Sequence, residues 1–485
     1  MNKTLTNLIW RFAERCGAQL VSFLVSIILA RLLTPDAYGI ISTILVFTTI
    51  LQVFVDSGLG NALIQKKNAD DIDFSTVFYT NIIFCTVLYL ILFFCAPFIA
   101  TFYNEPSMTA LLRVLGLTIV ISGVKNVQQA YISRNLMFKK FFFATIGGTI
   151  CAAVVGIAIA YGGGGAWALV AQQIINVSIG TVVLWLTVKW RPKKVFSLQR
   201  LKGLYSFGWK LLASSLLDTV YNDIRQLIIG KMYGSADLAF YNRGKQFPHL
   251  IVTNVNTSID SVLLPVLSNE QDKKDRIKAM TRRAIKTSVY IMAPLMMGLA
   301  FTAPTLIRII LTEKWIPCVP YMCIFCISYM FHPIHTANLN AIKAMGRSDL
   351  FLKLEIVKKT VGVILLLATM WQGVFAMACS LLVTTFTSQI INSWPNRKLM
   401  NYGYLEQLKD ILPSILLAVF MGACVSLVTL LGMPDLITLI IQVILGVIIY
   451  VAASVIFKFE IFTYLLNMIK PLFEKFIGTG KSKEL

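Results

Sequence analysis

Water-seeking side chains are scarce in this chain. Charged residues make up 14% of its 485 positions, with only 23 Asp and Glu against 44 Lys and Arg, and histidine occurs three times. A soluble fold of this length needs a far more polar surface, so an ordinary globular domain in water is excluded. Period-two alternation is missing too. The apolar runs are continuous, which argues against a transmembrane barrel and leaves helices as the segments that satisfy their own backbone in lipid. The nine cysteines form no disulfide framework. Cys16, Cys85, Cys95, Cys151, Cys379 and Cys424 fall in or at the ends of apolar runs, where free buried thiols are expected. No Walker motif, H-E-x-x-H or G-x-S-x-G is present, so ATP-driven transport by this chain alone has no support and no enzymatic activity is expected. No cleavable signal peptide is expected, because residues 1–7 lead straight into an apolar run without a small-residue cleavage site.

What the chain does have is apolar length. Hydrophobic residues make up 57% of it, and the mean hydropathy is +0.73. Fourteen runs are long enough to cross a bilayer: 8–33, 38–64, 74–96, 108–133, 141–161, 165–188, 203–230, 239–265, 284–310, 320–343, 350–371, 373–395, 410–431 and 435–457. The expected fold is an all-α polytopic membrane protein with fourteen transmembrane helices.

The net charge of +21 does not signal nucleic acid, because the basic residues sit in the breaks between runs. One set of breaks holds Lys66-Lys67, Arg134 with Lys139-Lys140, the basic stretches 189–202 and 273–286, Arg347 and Arg397-Lys398. The other set is short and nearly uncharged apart from Lys231 and Lys314. The positive-inside rule places the basic set and both termini in the cytoplasm. Residues 266–283 read equally well as a surface helix or a solvated loop. The glycines 162–165 make a tight outer turn rather than a phosphate loop.

The two halves resemble each other at an offset of 200 residues. Leu33-Thr34-Pro35-Asp36-Ala37-Tyr38-Gly39 lies opposite Tyr233-Gly234-Ser235-Ala236-Asp237-Leu238-Ala239, and Asp56-Ser57-Gly58 lies opposite Asn256-Thr257-Ser258. A repeat of six spans keeps its orientation, so the halves read as two parallel lobes with a binding site between them. The corresponding domains are 1–198, 199–400 and a C-terminal part, 401–485, with two further spans and a cytoplasmic tail.

Charges inside spans are costly and usually face a cavity or a partner. In span 8, Asn242, Lys245, His249, Thr253, Asn256 and Asp260 share one helical stripe. Two readings stand: the wall of a water-filled cavity, or a polar seam between helices. Span 1 carries Arg11, Glu14 and Arg15, and Asp56 in span 2 lies at a similar depth. These form either a structural ion-pair cluster or a gate that breaks during transport. Span 7 places Lys210, Ser214, Asp218, Tyr221 and Arg225 on one broad face, while span 4 carries Arg113, Lys125, Gln128 and Gln129. Lys125, Arg225, Arg243 and Lys245 are the candidate cationic lining for a phosphate, since Arg grips it bidentately and Lys acts as a point charge. Asn242, Thr253, Asn256, Tyr221 and Gln129 are the candidate polar lining. Arg113 and Lys210 also fit snorkelling to the interfaces. In span 10, Cys323-x-x-Cys326 and His332-x-x-His335 point to nearly opposite faces of a straight helix, so no metal and no cofactor are expected.

Several segments together resemble polysaccharide exporters of the flippase group, which includes O-antigen, colanic-acid and teichuronic-acid translocases. They are Ala30-Arg31-Leu32-Leu33-Thr34-Pro35-Asp36-Ala37-Tyr38-Gly39, Asp56-Ser57-Gly58-Leu59-Gly60-Asn61-Ala62-Leu63-Ile64-Gln65, Tyr233-Gly234-Ser235-Ala236-Asp237-Leu238-Ala239-Phe240-Tyr241-Asn242 and Ala344-Met345-Gly346-Arg347-Ser348-Asp349. The group belongs to the multidrug/oligosaccharidyl-lipid/polysaccharide exporter superfamily. The resemblance implies twelve core helices in two lobes, often two extra helices, alternating access, a cationic cavity and an undecaprenyl-diphosphate-linked oligosaccharide as substrate. It implies work in lipopolysaccharide or other surface-polysaccharide biosynthesis at the bacterial inner membrane, alongside synthesis-complex partners. Coupling to H⁺ or Na⁺ would fall to Asp56, Asp218, Asp260 or His249, whose protonation burial can tune. A drug or organic-cation antiporter of the same superfamily is the alternative, and the intramembrane Lys and Arg weigh against it. A glycan polymerase or ligase would need more chain on the outer face than these short loops provide.

Overall fold

The computed structural model describes residues 3–476 apart from 57 and 272, without the side chains of 3–9, 11, 12, 207, 469 and 471–476. It contains seventeen α-helices among the described residues. These are α1 (Lys3–Leu32), α2 (Pro35–Asp56), α3 (Leu59–Gln65), α4 (Asp71–Tyr103), α5 (Met108–Arg134), α6 (Phe138–Tyr161), α7 (Ala166–Thr187), α8 (Leu198–Met232) and α9 (Ser235–Ser268), followed by α10 (Lys274–Leu311), α11 (Val319–Met330), α12 (His332–Ala344), α13 (Ser348–Thr369), α14 (Val374–Met400), α15 (Tyr404–Leu427), α16 (Asp435–Ile456) and α17 (Glu460–Phe476). Among the described residues, twelve segments are both long and apolar enough to cross a membrane. Helices α8 and α13 have spanning length, 35 and 22 residues, but are not among those twelve. The fold is therefore the expected helical one, with twelve spans standing on length and apolarity together. Large apolar side chains such as Phe98, Phe94, Val154 and Ile444 stay exposed, as a lipid-facing surface requires.

Local sequence explains where helices start and break. Asp70 caps α4: its carboxylate accepts from Asp73 N–H at 3.0 Å and the Asp73 carboxylate accepts from Asp70 N–H at 3.2 Å. Asn104 ends α4 in the left-handed conformation. Span 2, expected as one helix, is interrupted at Gly58, whose backbone leaves helical geometry. Span 10 is likewise broken between α11 and α12 at Phe331. Pro333 lacks the N–H that would reach the Tyr329 carbonyl, and the helical ladder is interrupted for one residue there, with Phe331 still in the right-handed region. Residues 274–283 are neither a separate surface helix nor a loop: α10 simply extends through them, and only a short connection separates it from α9. The tail expected after 457 contains α17, which begins with Glu460 paired to Lys286 at 2.8 Å.

The chain forms two compact units, 1–239 and 240–485. In the first, α6 packs on α7 and α1, and α4 on α5. Helix α8, which the repeat assigns to the second half, also packs here, against α2, α3 and α4. A Cβ on Gly208 of α8 would come within 3.0 Å of the Gly58 carbonyl, so backbone meets backbone at that crossing. In the second unit α10 is the hub, contacting α11, α12, α14, α15 and α16. Helices α15 and α16 are held to it by Arg282–Asp410 at 2.6 Å, Lys278–Glu406 at 3.1 Å and Arg308–Asp435 at 3.3 Å. The Tyr450 hydroxyl adds a hydrogen bond to the Tyr290 carbonyl at 2.8 Å.

Candidate functional site

In the first unit a polar cluster forms where α2 breaks. Asp56, at the last turn of α2, accepts from Gln52 Nε2 at 3.1 Å and Asn126 Nδ2 at 3.3 Å. Asn126 Oδ1 in turn accepts from Asn81 Nδ2 at 3.4 Å. Gly60 makes room for this, because a Cβ there would lie 2.6 Å from Asn126 Oδ1. Lys125 precedes Asn126 on α5 and is half-buried, within electrostatic reach of Asp56 and Glu14. Its Nζ lies against Gly180 of α7, 3.4 Å from where a Cβ would sit. Glu14 is buried at 6% exposure, whereas Asp56 is exposed on its open side. The cluster therefore interleaves two carboxylates with one ammonium and carries a row of amides inward from Asp56.

Asn81 has a second face. It lines an apolar cavity of about 640 Å³ between α2, α3, α4 and the first turns of α8, walled by Phe54, Phe84, Leu201, Tyr205, Trp209 and Leu212. Lys202 stands on its wall with an exposed side chain. Charge and amide on one side of Asn81 thus meet a greasy pocket on the other.

The α8 end of this pocket is pinned to the basic loops. Asp73 is fully buried and takes Lys66 at 2.7 Å and Arg200 at 3.1 Å. The Asp73 backbone N–H, and then Arg200, hold the Asp70 carboxyl below its usual range. The stretch before α8 hangs on α4, since Lys193 N–H donates to Ser75 Oγ at 2.9 Å and Ser197 N–H to Thr76 Oγ1 at 3.1 Å. Gln128 belongs to this anchor, donating to the Trp190 carbonyl at 3.2 Å.

In the second unit α9 presents its polar stripe to α11 and α12 at a constant offset of 80 residues. Asn256 Oδ1 accepts from Thr336 at 2.8 Å, and Asp260 Oδ1 from Asn340 at 2.9 Å. The His249 and Tyr329 rings lie 6.0 Å apart. His249, Thr253 and Asp260 stay exposed, while Asn242, Lys245 and Asn256 are half-buried. The stripe thus faces both ways, seaming to α12 on one edge and open on the other. Arg243 is turned away from it: buried at 6% exposure, its guanidinium lies 5.3 Å from the centre of the Trp315 ring and donates to Gln246 Oε1 at 2.5 Å.

The four candidate cations are divided between the units, with Lys125 and Arg225 in the first and Arg243 and Lys245 in the second. Arg225 is buried, Tyr221 and Gln129 are half-buried, and Asp218 and Arg15 are exposed. The Arg11 side chain lies outside the described residues, so its pairing with Glu14 is not described. Arg113 donates to the Phe93 carbonyl at 3.2 Å and stacks 4.2 Å from that ring. Among the described residues no three His, Cys, Asp or Glu side chains gather as a metal-binding group. The sequence reading missed Asn81, Asn126 and the buried amides of the second unit. An isolated amide in an apolar run looks the same whether it lines a site or seals a helix seam.

A family model described as "Polysaccharide biosynthesis protein" matches residues 28–320, more than half of the chain. The chain belongs to this family. Among its relatives, the teichuronic acid biosynthesis protein TuaB of Bacillus subtilis is 26% identical over 306 residues, covering 62% of this chain and 63% of that one. The succinoglycan biosynthesis transport protein ExoT of Rhizobium meliloti is 23% identical, over 64% of each chain. The lipopolysaccharide biosynthesis protein WzxC of Escherichia coli is 21% identical, over 68% of each. The chain thus spans less than two thirds of the length of TuaB and ExoT. Among solved structures, the lipid II flippase MurJ in an inward-closed conformation superposes with a TM-score of 0.74 at 14% identity, covering 93% of this chain and 99% of that one. An inward-facing multidrug-resistance MATE transporter gives 0.61 at 12% identity, covering 79% and 94%. This family member therefore shares the fold of both transporter types.

Proposed function

We propose that this chain is a flippase that moves an undecaprenyl-diphosphate-linked oligosaccharide across the bacterial inner membrane for surface-polysaccharide synthesis. The observation that carries the reading is the junction at Asn81, where the Glu14–Lys125–Asp56 charges and their amides adjoin an apolar cavity of about 640 Å³. Such a junction suits a ligand that is polar at one end and greasy at the other. Lys125 supplies the point charge for a phosphate, and the cavity takes the first part of the polyprenyl chain. TuaB, ExoT and WzxC are named for polysaccharide synthesis or its transport, and MurJ is titled a lipid flippase, which supports the same reading.

The remaining assignments belong to this proposal. The basic loops and both termini lie in the cytoplasm by the positive-inside rule. The chain breaks no bond, and an H⁺ or Na⁺ gradient drives outward movement by alternating access, with protonation or ion binding at Asp56 loosening its hold on Lys125. Partners from a polysaccharide-synthesis complex deliver the substrate. The test is transbilayer movement in liposomes of an undecaprenyl-diphosphate oligosaccharide by the wild type, Lys125→Ala and Asp56→Asn. Lys125→Ala is expected to lower the rate at least tenfold, a loss of about 1.4 kcal/mol, and Asp56→Asn to abolish its dependence on the ion gradient. Unchanged rates in both variants would remove this cluster from the mechanism.

A further inference from the structure

The three histidines of the chain line up in the second unit, although they come from two helices, α9 and α12. The rings form a continuous chain: His249 to Tyr329 at 6.0 Å, Tyr329 to His332 at 4.9 Å, and His332 to His335 at 6.0 Å. It runs from the exposed His249 on the α9 stripe to the half-buried His332 and His335. Behind it stands α14, parallel to α11 and α12 at a constant offset of 57 residues. Ser328 meets Thr385 at 2.6 Å, and His335 Nδ1 meets Asn392 Nδ2 at 3.2 Å. The same offset sets Gln389 opposite His332. Gln389 is 1% exposed, and neither of its amide atoms has a hydrogen-bond partner. Asn392 Oδ1 is also buried and unpartnered.

A buried amide with no partner costs roughly 1–3 kcal/mol, so a fold retains one when a ligand, water or moving neighbour completes it. What this wall offers is specific. Imidazole nitrogens and amides supply donors and acceptors in alternation, backed by the buried Tyr329 ring. When Asn392 donates to His335 Nδ1, the His335 proton sits on Nε2, leaving a donor for a ligand. Hydroxyl-rich rings with apolar C–H faces match that set, whereas a metal would need three converging ligands, which the described residues do not supply. The one-residue interruption at Phe331 lies within this wall, between Tyr329 and His332.

We propose that the His249–Tyr329–His332–His335 wall is a sugar-binding site for the glycan of the transported lipid, with Asn392 positioning the His335 ring and the unpartnered Gln389 amide completed by the bound sugar. The proposal rests on the flippase reading and adds recognition of pyranose rings, within the second unit, to it.

The experiment compares two substrates in liposomes holding the full-length protein: undecaprenyl-diphosphate oligosaccharide and bare undecaprenyl diphosphate. Variants are His332→Leu, Tyr329→Leu and Gln389→Leu. Gln389→Leu removes two unpartnered polar atoms and keeps similar volume, so it folds at least as well as the wild type. Each variant is expected to lower movement of the glycan-bearing lipid about tenfold relative to the bare lipid. Equal loss for both substrates, or no loss for either, would make the wall a structural seam and overturn the proposal. Failure of the wild type to move either lipid would instead overturn the flippase reading.

Discussion

At the scale of single residues, the side chains that do most are those whose surroundings leave them no alternative. Asp73 is fully buried with two cations on it, and it also closes the cap of α4. Asp73→Ala should lower stability by about 2–3 kcal/mol, toward the low end for a buried pair because Lys66 and Arg200 keep access to solvent. Thermal unfolding in detergent measures this, and an unchanged midpoint would deny the knot any structural weight. The neighbouring Asp70 carboxyl is held below its usual range. Its contribution is therefore present at neutral pH and is lost only as acidification passes below about 4. Gly39 is a second forced position, since a Cβ there would sit 1.7 Å from the Ser235 carbonyl oxygen. Gly39→Val should part α2 from the turn before α9 and raise thiol labelling of a Thr43→Cys reporter. Labelling equal to that of the Gly39 parent would show that this contact is not needed for closure. Charges such as Lys125 and Asp56 were legible in the sequence because few residues are charged inside apolar runs. Asn81, Asn126, Gln389 and Asn392 were not, because amides carry no mark that separates a site from a seam.

At the scale of elements, the spans were legible because a run of about 20 apolar residues has few other uses. Their interruptions were harder to read. The Gly58 break lies in Asp56-Ser57-Gly58-Leu59-Gly60-Asn61, a short polar stretch inside an otherwise apolar run, and α17 followed a point where the apolar pattern had already ended. The Pro333 break was foreseeable as a bend, but the contact of His335 with Asn392 of α14 was not. Pro333→Ala restores the missing N–H and lets α11 and α12 join. Transport of the lipid-linked glycan should then fall about tenfold, ~1.4 kcal/mol in binding terms, while thermal stability holds or rises. A full-rate Pro333→Ala protein would show that the break is incidental.

At the scale of the whole molecule, the repeat and the packing divide the chain differently. The sequence offset groups α8 with the second half, yet α8 folds against α2, α3 and α4 in the unit ending at 239. The reason is steric: Gly208 meets Gly58 backbone to backbone, and Arg200 reaches the buried Asp73. The repeat is read from spacing along the sequence, whereas compactness records where side chains interlock. Charge shows the same difference of scale. The excess of +21 gives an expected orientation by the positive-inside rule, while the proposed recognition rests on a handful of intramembrane groups. The most direct measurement is transport by the wild-type protein alone in liposomes, offered an undecaprenyl-diphosphate oligosaccharide and a small organic cation in parallel. Movement of the lipid-linked glycan without export of the cation is the expected result. Export of the cation with no movement of the lipid would contradict the account and make this chain an antiporter.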